Sequence, residues 1–359
     1  MHIPDGYLSP STCATLYAFA AAGWYAAVRR IRRVWATRTI PLISVFAAFS
    51  FVIMMFNIPL PGGTSGHAVG IGVATIVLGP WGSILAISIA LAIQALFFGD
   101  GGITTLGANC FNMAIIGSLT AWGVYQLVAA NSKLGSRRRA AAAAVAGYIS
   151  INAAALATAF EFGIQPILFR DATGAPLYAP YPLHIAIPAM MIGHSTIAGL
   201  AEAAISAGLV SYLQGTDVGL LRGGKSLIPE PLPNVLQAQR SEGRLWLATV
   251  LLMLLTPLGI LAAGTAWGEW SAKELQKGRG SVQVTGISPD HAPPSSVPAG
   301  LQKLSTVWTA PFPGYAPGFV KHPALGYLLS AMFVVGLFLL ASRLTMTIRK
   351  RWRERELRA

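Results

Sequence analysis

Long apolar runs without charge make up most of this chain, and short turns or clusters of positive charge separate them. Between Thr39 and Ser132 the one Asp, Glu, Lys or Arg is Asp100. A stretch of that length holds several helices, because each crossing of a bilayer needs about 20 apolar residues. The pattern therefore predicts an all-α polytopic membrane protein. The predicted crossings cover residues 12–28, 40–58, 67–79, 84–98, 106–128, 140–160, 185–213, 245–263 and 323–340.

Polar segments divide the nine crossings into two units. Seven crossings form a core over residues 1–214, and a proline-containing polar stretch at 215–244 is predicted to be a cytoplasmic linker. The last two crossings belong to a C-terminal unit, residues 245–359, and flank a loop at 264–321 that is rich in Pro, Gly and Ser. Glycine and proline also predict a tight turn at residues 79–82. We expect a seven-helix core plus two further transmembrane helices around an extracytoplasmic loop.

Composition supports a membrane protein, and the placement of charge predicts its orientation. Of the 359 residues, 54% are hydrophobic and 11% charged, which excludes a soluble globule. The net charge of +13 does not indicate a nucleic-acid partner, because the cations cluster beside crossings. By the positive-inside rule these clusters are cytoplasmic, so we expect an extracytoplasmic N-terminus and a cytoplasmic C-terminus in the cell (inner) membrane. The clusters are Arg29, Arg30, Arg32, Arg33 and Arg38; Lys133 and Arg137, Arg138 and Arg139; Arg222, Lys225, Arg240 and Arg244; and the tail from Arg343, which favours anionic lipid or a cytoplasmic partner.

The first two residues carry the most distinctive chemistry. The amine of Met1, the amide nitrogen of His2 and the ring nitrogen of His2 nearest the backbone can close two small chelate rings on one metal ion. Such a chelate is flat because it includes a planar peptide unit, and a flat all-nitrogen site favours Ni(II) or Cu(II) over tetrahedral zinc. The amide must lose its proton to bind, so affinity is expected to fall as pH drops. Cys13 and Cys110 are isolated and are expected to be small apolar helix residues.

His67 can supply a fourth nitrogen. It opens the third predicted crossing on the same side of the membrane as Met1, which a shared site requires. The alternatives are an accidental histidine at a frayed terminus for His2, and a capping or interfacial residue for His67. Pro4 and Gly6 favour a turn that folds the terminus inward, which supports the metal site.

The start MHIPDGYLSP, the segment GTSGH around His67 and the triplet Gly107-Ala108-Asn109 resemble the CbiM/NikM family over about the first 215 residues. Members of that family are substrate-binding subunits of cobalt and nickel energy-coupling-factor (ECF) transporters. The resemblance implies that Met1 (amine), His2 (amide and imidazole) and His67 bind the metal. It also implies a transmembrane coupling subunit (CbiQ/NikQ-like) and cytoplasmic ATPase subunits (CbiO/NikO-like) as partners. The C-terminal unit resembles the accessory CbiN/NikN subunit in its layout.

Further polar residues have two interpretations each. Ser65, Asn109 and Asn112 are candidates for orienting the ligands, since a metal-bound imidazole usually donates its other N–H to a fixed acceptor. Ordinary hydrogen bonding between helices is the alternative. His194 and Glu202, eight residues apart on one helix face, form either a second metal or proton site or a buried polar pair. In the C-terminal loop, His291 and His322 either pass metal inward or are solvated.

The expected function is the substrate-specific component of an ECF-type ABC importer that captures Ni(II) or Co(II) at the outer face. Ni(2+) or Co(2+) is cargo, no catalytic cofactor is expected, and ATP hydrolysis is expected from the partner subunits. The alternative is a secondary divalent-metal transporter or channel independent of ATPases, which would use His194 and Glu202 as its intramembrane pair. A membrane metalloenzyme is disfavoured because a closed four-nitrogen plane leaves no open position on the metal.

Overall fold

The computed structural model describes residues 1–32, 39–60, 64–222, 235–261 and 297–356, and these are largely helical. A two-stranded antiparallel hairpin interrupts the helices and pairs Ile58 with Gly66. The strands are Ile58–Leu60 (β1) and Thr64–Gly66 (β2). The helices are Pro10–Arg32 (α1), Thr39–Met54 (α2), Ile71–Phe98 (α3), Leu106–Ala129 (α4), Arg137–Leu168 (α5), Leu183–Thr216 (α6), Val235–Leu255 (α7), Ala299–Leu304 (α8) and Pro323–Glu356 (α9).

Five helices in the described part of the chain are long and apolar enough to cross a membrane. They are α3, α4, α5, α6 and the Pro323–Ile348 part of α9, and α2 and α7 contain shorter apolar stretches. Large apolar side chains on their surfaces are exposed, including Leu127, Leu200 and Leu340. Backbone groups at membrane depth must be satisfied internally, which helices do. The all-α polytopic membrane fold is therefore confirmed.

Helix α3 is sharply bent at Gly79, where the predicted turn at residues 79–82 lies. Gly79 has φ 71° and ψ 168°, a backbone conformation that is essentially restricted to glycine. The hydroxyl of Thr75 donates to Ser83 Oγ at 3.1 Å, although a straight helix would separate these residues by about 12 Å along its axis. The two arms of α3 therefore fold against each other. Counted separately, they complete the seven helices of the core, and α7 and α9 are the two further helices.

Several element boundaries differ from the prediction. Helix α3 begins at Ile71, so His67 lies in irregular backbone before the helix. Helix α5 continues past the predicted end at residue 160 to Leu168. Glu161 therefore lies inside the helix, where its buried carboxylate accepts a hydrogen bond from Asn112 Nδ2 at 2.8 Å, which a buried polar group requires. Helix α7 begins at Val235 within the predicted linker, and the basic tail continues α9. The parts of the linker and of the C-terminal loop at 223–234 and 262–296 lie outside the described residues.

The described parts of the C-terminal unit pack on the core at several places. Helix α9 packs along α2, and the short helix α8 lies against the N-terminal turn. At α8, the N–H of Leu301 donates to Leu177 O at 3.2 Å, and a Cβ added at Gly6 would come within 2.8 Å of Leu301 O. Gly6 also has φ 91°, so glycine is required there for two reasons.

Gly107 allows α4 to approach α1 closely, and this contact can be tested. An added Cβ would lie 2.6–2.8 Å from the backbone and ring of Tyr17. We predict that Gly107→Ala lowers the free energy of unfolding by about 1–3 kcal/mol through overpacking, measured as a lower midpoint of thermal unfolding in detergent. The matched control is Gly123→Ala on the same helix, where no atom lies within 4 Å of the new Cβ. Equal midpoints for the two variants would contradict the prediction.

Candidate metal centre

The first three residues are buried inside the end of the bundle, with Met1 0%, His2 4% and Ile3 0% exposed. Asn109 holds this segment by its main chain: the N–H of Ile3 donates to Asn109 Oδ1 at 2.8 Å, and Asn109 Nδ2 donates to Ile3 O at 3.1 Å. The N–H of Gly102 also donates to Ile3 O, at 2.9 Å. The terminus is therefore held in place by hydrogen bonds to its main chain. The alternative interpretation of His2, an accidental histidine at a frayed terminus, is wrong.

The turn that follows is fixed to the start of α4. The carboxylate of Asp5 accepts from the N–H of Thr104 at 2.7 Å and from the N–H of Ile103 at 3.2 Å. These two N–H groups lie in the turn that precedes α4, and the carboxylate supplies the acceptors that they need. Ile3 and Asp5 are thus both attached to the 100–109 region.

The segment around His67 meets the N-terminus. The Met1 amine donates to the main-chain oxygen of Ser65 at 2.8 Å. The rings of His2 and His67 lie 4.7 Å apart between centroids, at an interplanar angle of 31°. Two segments that are far apart in sequence therefore meet in one buried place. The first contributes Met1 and His2, and the second contributes Ser65 and His67.

His67 presents a ring nitrogen suited to binding a metal. Its Nδ1 donates to Ala68 O at 3.1 Å, and a carbonyl can only accept. Burial lowers the pKa of His67 well below its usual value, and the nearby His2 and terminal amine lower it further. His67 is therefore neutral, with the lone pair on Nε2. That buried nitrogen has no hydrogen-bond partner among the described residues.

His2 is oriented by Asp100. Burial would raise the pKa of Asp100, but the adjacent His2 and the hydrogen bonds from His2 and Tyr315 outweigh it and hold the pKa well below its usual value. The carboxylate is thus ionised and accepts from His2 Nδ1 at 2.6 Å. His2 Nε2 is buried and, within the described part of the chain, lacks a partner. The predicted chelate uses Nδ1, which here bonds Asp100 instead.

Asp100 is also bound from the C-terminal unit. Its second oxygen accepts from the Tyr315 hydroxyl at 2.6 Å and from Gln94 Nε2 at 3.4 Å. Burial and the charge of Asp100 raise the pKa of Tyr315 well above its usual value, so the hydroxyl keeps its proton. Sequence reasoning gave Asp100 no role. The signal that could have found it is its isolation as the one charge in a long apolar stretch.

Glu202 holds the backbone just after His67. Its carboxylate accepts from the N–H groups of Val69 and Gly70, both at 2.8 Å, and from that of Gly72 at 3.1 Å. These groups lead into the first turn of α3, where negative charge is favourable. Glu202 therefore fixes the loop that carries His67, a role that the sequence reading missed.

Comparison with known proteins identifies the chain. A family model described as the cobalt uptake substrate-specific transmembrane region, CbiM, matches residues 2–218. The chain belongs to this family. It is 50% identical to the fused nickel transport protein NikMN of Rhodobacter capsulatus over 97% of this chain and 98% of that one. It is 40% identical to the probable fused nickel transport protein LarMN of Lactiplantibacillus plantarum, over 96% and 97%.

A solved structure is also similar to this CbiM family member. The crystal structure of a truncated transition metal transporter shares 47% sequence identity, with a TM-score of 0.57, over 60% of this chain and 99% of that one. The solved chain thus corresponds in length to the core. The two fused relatives extend over the C-terminal unit as well, so the fused architecture is confirmed.

The remaining candidate residues form hydrogen bonds with groups other than the two histidines, or lie outside the described residues. Asn112 donates to Thr158 Oγ1 at 3.1 Å and to Glu161 Oε2 at 2.8 Å, which is ordinary bonding between helices. His194 donates from Nδ1 to Met190 O at 2.8 Å and does not share partners with Glu202, so the two are not a pair. His322 is exposed. His291 lies outside the described residues, as do Arg33 and Arg38.

No group of three or more His, Cys, Asp or Glu side chains is placed to hold a metal within the described ranges. The convergence of Met1, His2 and His67 is consistent with that finding, because its predicted ligands include main-chain nitrogens.

Residues 219–226 match the spacing GxxxxGK[ST] of a phosphate loop. That motif requires a preceding strand, whereas residues 218–222 form a 3₁₀ turn after α6, and residues 223–226 lie outside the described residues.

Asn109 and Asn112, three residues apart on α4, give a matched pair of variants. We predict that Asn109→Ala weakens nickel affinity by about 10–100-fold, as loss of an outer partner of a metal ligand typically does, because Ile3 loses both main-chain bonds. Asn112→Ala is expected to reduce stability but to leave the affinity unchanged. Nickel titration of the two purified variants measures this, and equal affinities would be evidence against the role given to Asn109.

Glu202 can be tested in the same way. Glu202→Gln replaces one accepting oxygen with a donor, so buried N–H groups lose partners at about 1–3 kcal/mol each. We predict both a lower unfolding midpoint and weaker nickel binding, because the His67 loop loses its anchor. The control is Glu161→Gln, another buried carboxylate, whose partner Asn112 does not touch that loop. If both substitutions leave nickel binding intact, the loop does not depend on Glu202.

Proposed function

We propose that this chain is the substrate-binding subunit of an ECF-type importer that captures Ni(2+) or Co(2+) at the outer face of the cell membrane. The observation that carries the proposal is the buried convergence of the Met1 amine with the rings of His2 and His67. The buried Nε2 of His67 has no hydrogen-bond partner among the described residues, which is costly, and a bound cation would give it one.

The proposed ligands are the Met1 amine, the His2 amide nitrogen, His2 Nδ1 and His67 Nε2. His67 already presents Nε2 in the form that binds metal. His2 must turn its ring about the Cβ–Cγ bond so that Nδ1 leaves Asp100, and Nδ1 must give up the proton that it donates there. The amine must leave Ser65 O and lose a proton, and the amide must also lose its proton. Binding would therefore release protons and weaken at low pH.

Metal selectivity follows from the proposed plane of four nitrogens. A flat nitrogen site suits Ni(II) better than tetrahedral ions, and Cu(II) would bind still more tightly by intrinsic order. Selection against copper would therefore depend on availability. The printed names of the relatives include both nickel and cobalt transport proteins, which supports a nickel or cobalt cargo for this chain.

The orientation and the partners complete the proposal. The basic ends of α1 and α9 lie on the cytoplasmic side by the positive-inside rule, which leaves Met1 and His67 facing outward. A coupling subunit and ATPases supply the energy, and this chain is not catalytic.

Glu202 bonds three backbone N–H groups, so it is not a pore-lining charge of the kind that a secondary transporter would use. Residues 1–214 form the metal-binding core, and 245–359 form a fused accessory unit.

The decisive experiment blocks the terminal amine. We predict that one glycine added before Met1, or acetylation of the amine, weakens nickel binding by more than the roughly 10–100-fold that loss of an outer partner costs. His67→Ala is expected to have a comparable effect. The measurement is nickel titration of the purified full chain, with a glycine added after Ala359 as the control. Tight binding by the N-terminally blocked protein would refute the proposed site.

A further inference from the structure

Tyr315 of the C-terminal unit is built into the core. Only 5% of it is exposed, and its ring stacks on Phe98 at 4.9 Å between centroids and meets Phe51 at 6.0 Å. Its φ of 60° is rare for a bulky side chain and is unfavourable, so the surroundings must hold it. The preceding chain is fixed as well, because the N–H of Phe312 donates to Phe97 O at 2.9 Å.

The hydroxyl of Tyr315 joins a short chain of hydrogen bonds that ends at His2. It accepts from Gln94 Nε2 at 3.0 Å and donates to Asp100 Oδ2 at 2.6 Å. The other oxygen of Asp100 accepts from His2 at 2.6 Å. Both oxygens are therefore occupied, and the carboxylate cannot rotate without breaking one of these bonds.

We propose that Asp100, held in place by Tyr315 of the C-terminal unit, is a positioning residue that fixes the ring of His2 by accepting its N–H. The proposal rests on the proposed function, because it concerns how His2 is presented to the metal.

The geometry of imidazole lets one carboxylate serve both orientations of the ring. A half-turn about Cβ–Cγ brings Nε2 to the place that Cε1 had, directly beside the former place of Nδ1. When Nδ1 gives up its proton to bind the metal, the neutral ring carries its one proton on Nε2. Asp100 can then accept from Nε2–H after a small shift. A metal-bound imidazole usually donates its second N–H to such an acceptor, which sets its orientation and raises its basicity. The fixed carboxylate thus limits His2 to the two orientations that the binding step requires.

Tyr315→Phe is the sharpest test, because it deletes one hydroxyl and keeps both the ring packing and the charge of Asp100. We expect nickel affinity of the full chain to fall by about threefold to tenfold, with the unfolding midpoint of the metal-free protein close to that of the control. The control is Tyr327→Phe. The ring of Tyr327 packs on Tyr315 at 5.3 Å, and its hydroxyl makes no hydrogen bond to Asp100 among the described residues.

A double-mutant cycle separates positioning from a merely structural effect. Asp100→Ala is expected to weaken nickel binding by about 10–100-fold, and Tyr315→Phe should then have no additional effect in that background, since both act through one carboxylate. Unchanged affinity in Tyr315→Phe, or an equal loss in both backgrounds, would overturn the proposal. The N-terminally blocked protein distinguishes failure of the proposed function from failure of this proposal. If the blocked protein binds nickel tightly, the proposed function fails. If it binds nickel weakly but the effects of Asp100→Ala and Tyr315→Phe simply add, only the role of Asp100 and Tyr315 is refuted.

Discussion

Removing the N-terminus from water is the constraint on which the metal centre depends. Each buried main-chain group needs a hydrogen-bond partner, and leaving one unsatisfied costs about 1–3 kcal/mol. Asn109 and Gly102 bond the main chain of Ile3, and Ser65 O accepts from the Met1 amine. These partners come from β2 and from the region that begins α4. The position of the first residue therefore fixes how the hairpin and α4 are arranged around it.

Two carboxylates have complementary roles around this terminus. Glu202 holds the main chain after His67, whereas Asp100 holds the side chain of His2. Glu202 is buried and Asp100 is 17% exposed, and the oxygens of each are occupied by donors, as a carboxylate removed from water requires. The two histidines are thus fixed in different ways: His67 through the backbone that follows it, and His2 through its ring. A site held in this way loses little conformational freedom when a cation binds, which favours affinity.

The sequence was sufficient to predict the parts of the fold that depend on local pattern. Apolar run length predicted the crossings, and Gly79 with Pro80 predicted the bend in α3, because few other residues adopt that backbone. The terminal amine and His2 indicate a metal site by their own chemistry, and that site stays a prediction. The role of Asn109 was harder to predict, because an amide can hold either the ring of a ligand or the main chain. In this structure it bonds the main chain of Ile3. Glu202 and Tyr315 act on residues more than 130 positions away, and no local pattern records such a contact.

Fusion of the two units changes the energetics of the contacts between them. A separate accessory subunit would lose translational and rotational freedom each time it docked, a cost of several kcal/mol. A covalently joined unit meets the core at a high effective concentration, so a few contacts are enough to keep it in place. Leu301 against Gly6 and Tyr315 on Asp100 are contacts of that kind. Leu301 touches the segment that carries His2, and Tyr315 bonds the carboxylate that holds the His2 ring. Docking of the unit and the geometry of the proposed metal centre are therefore coupled.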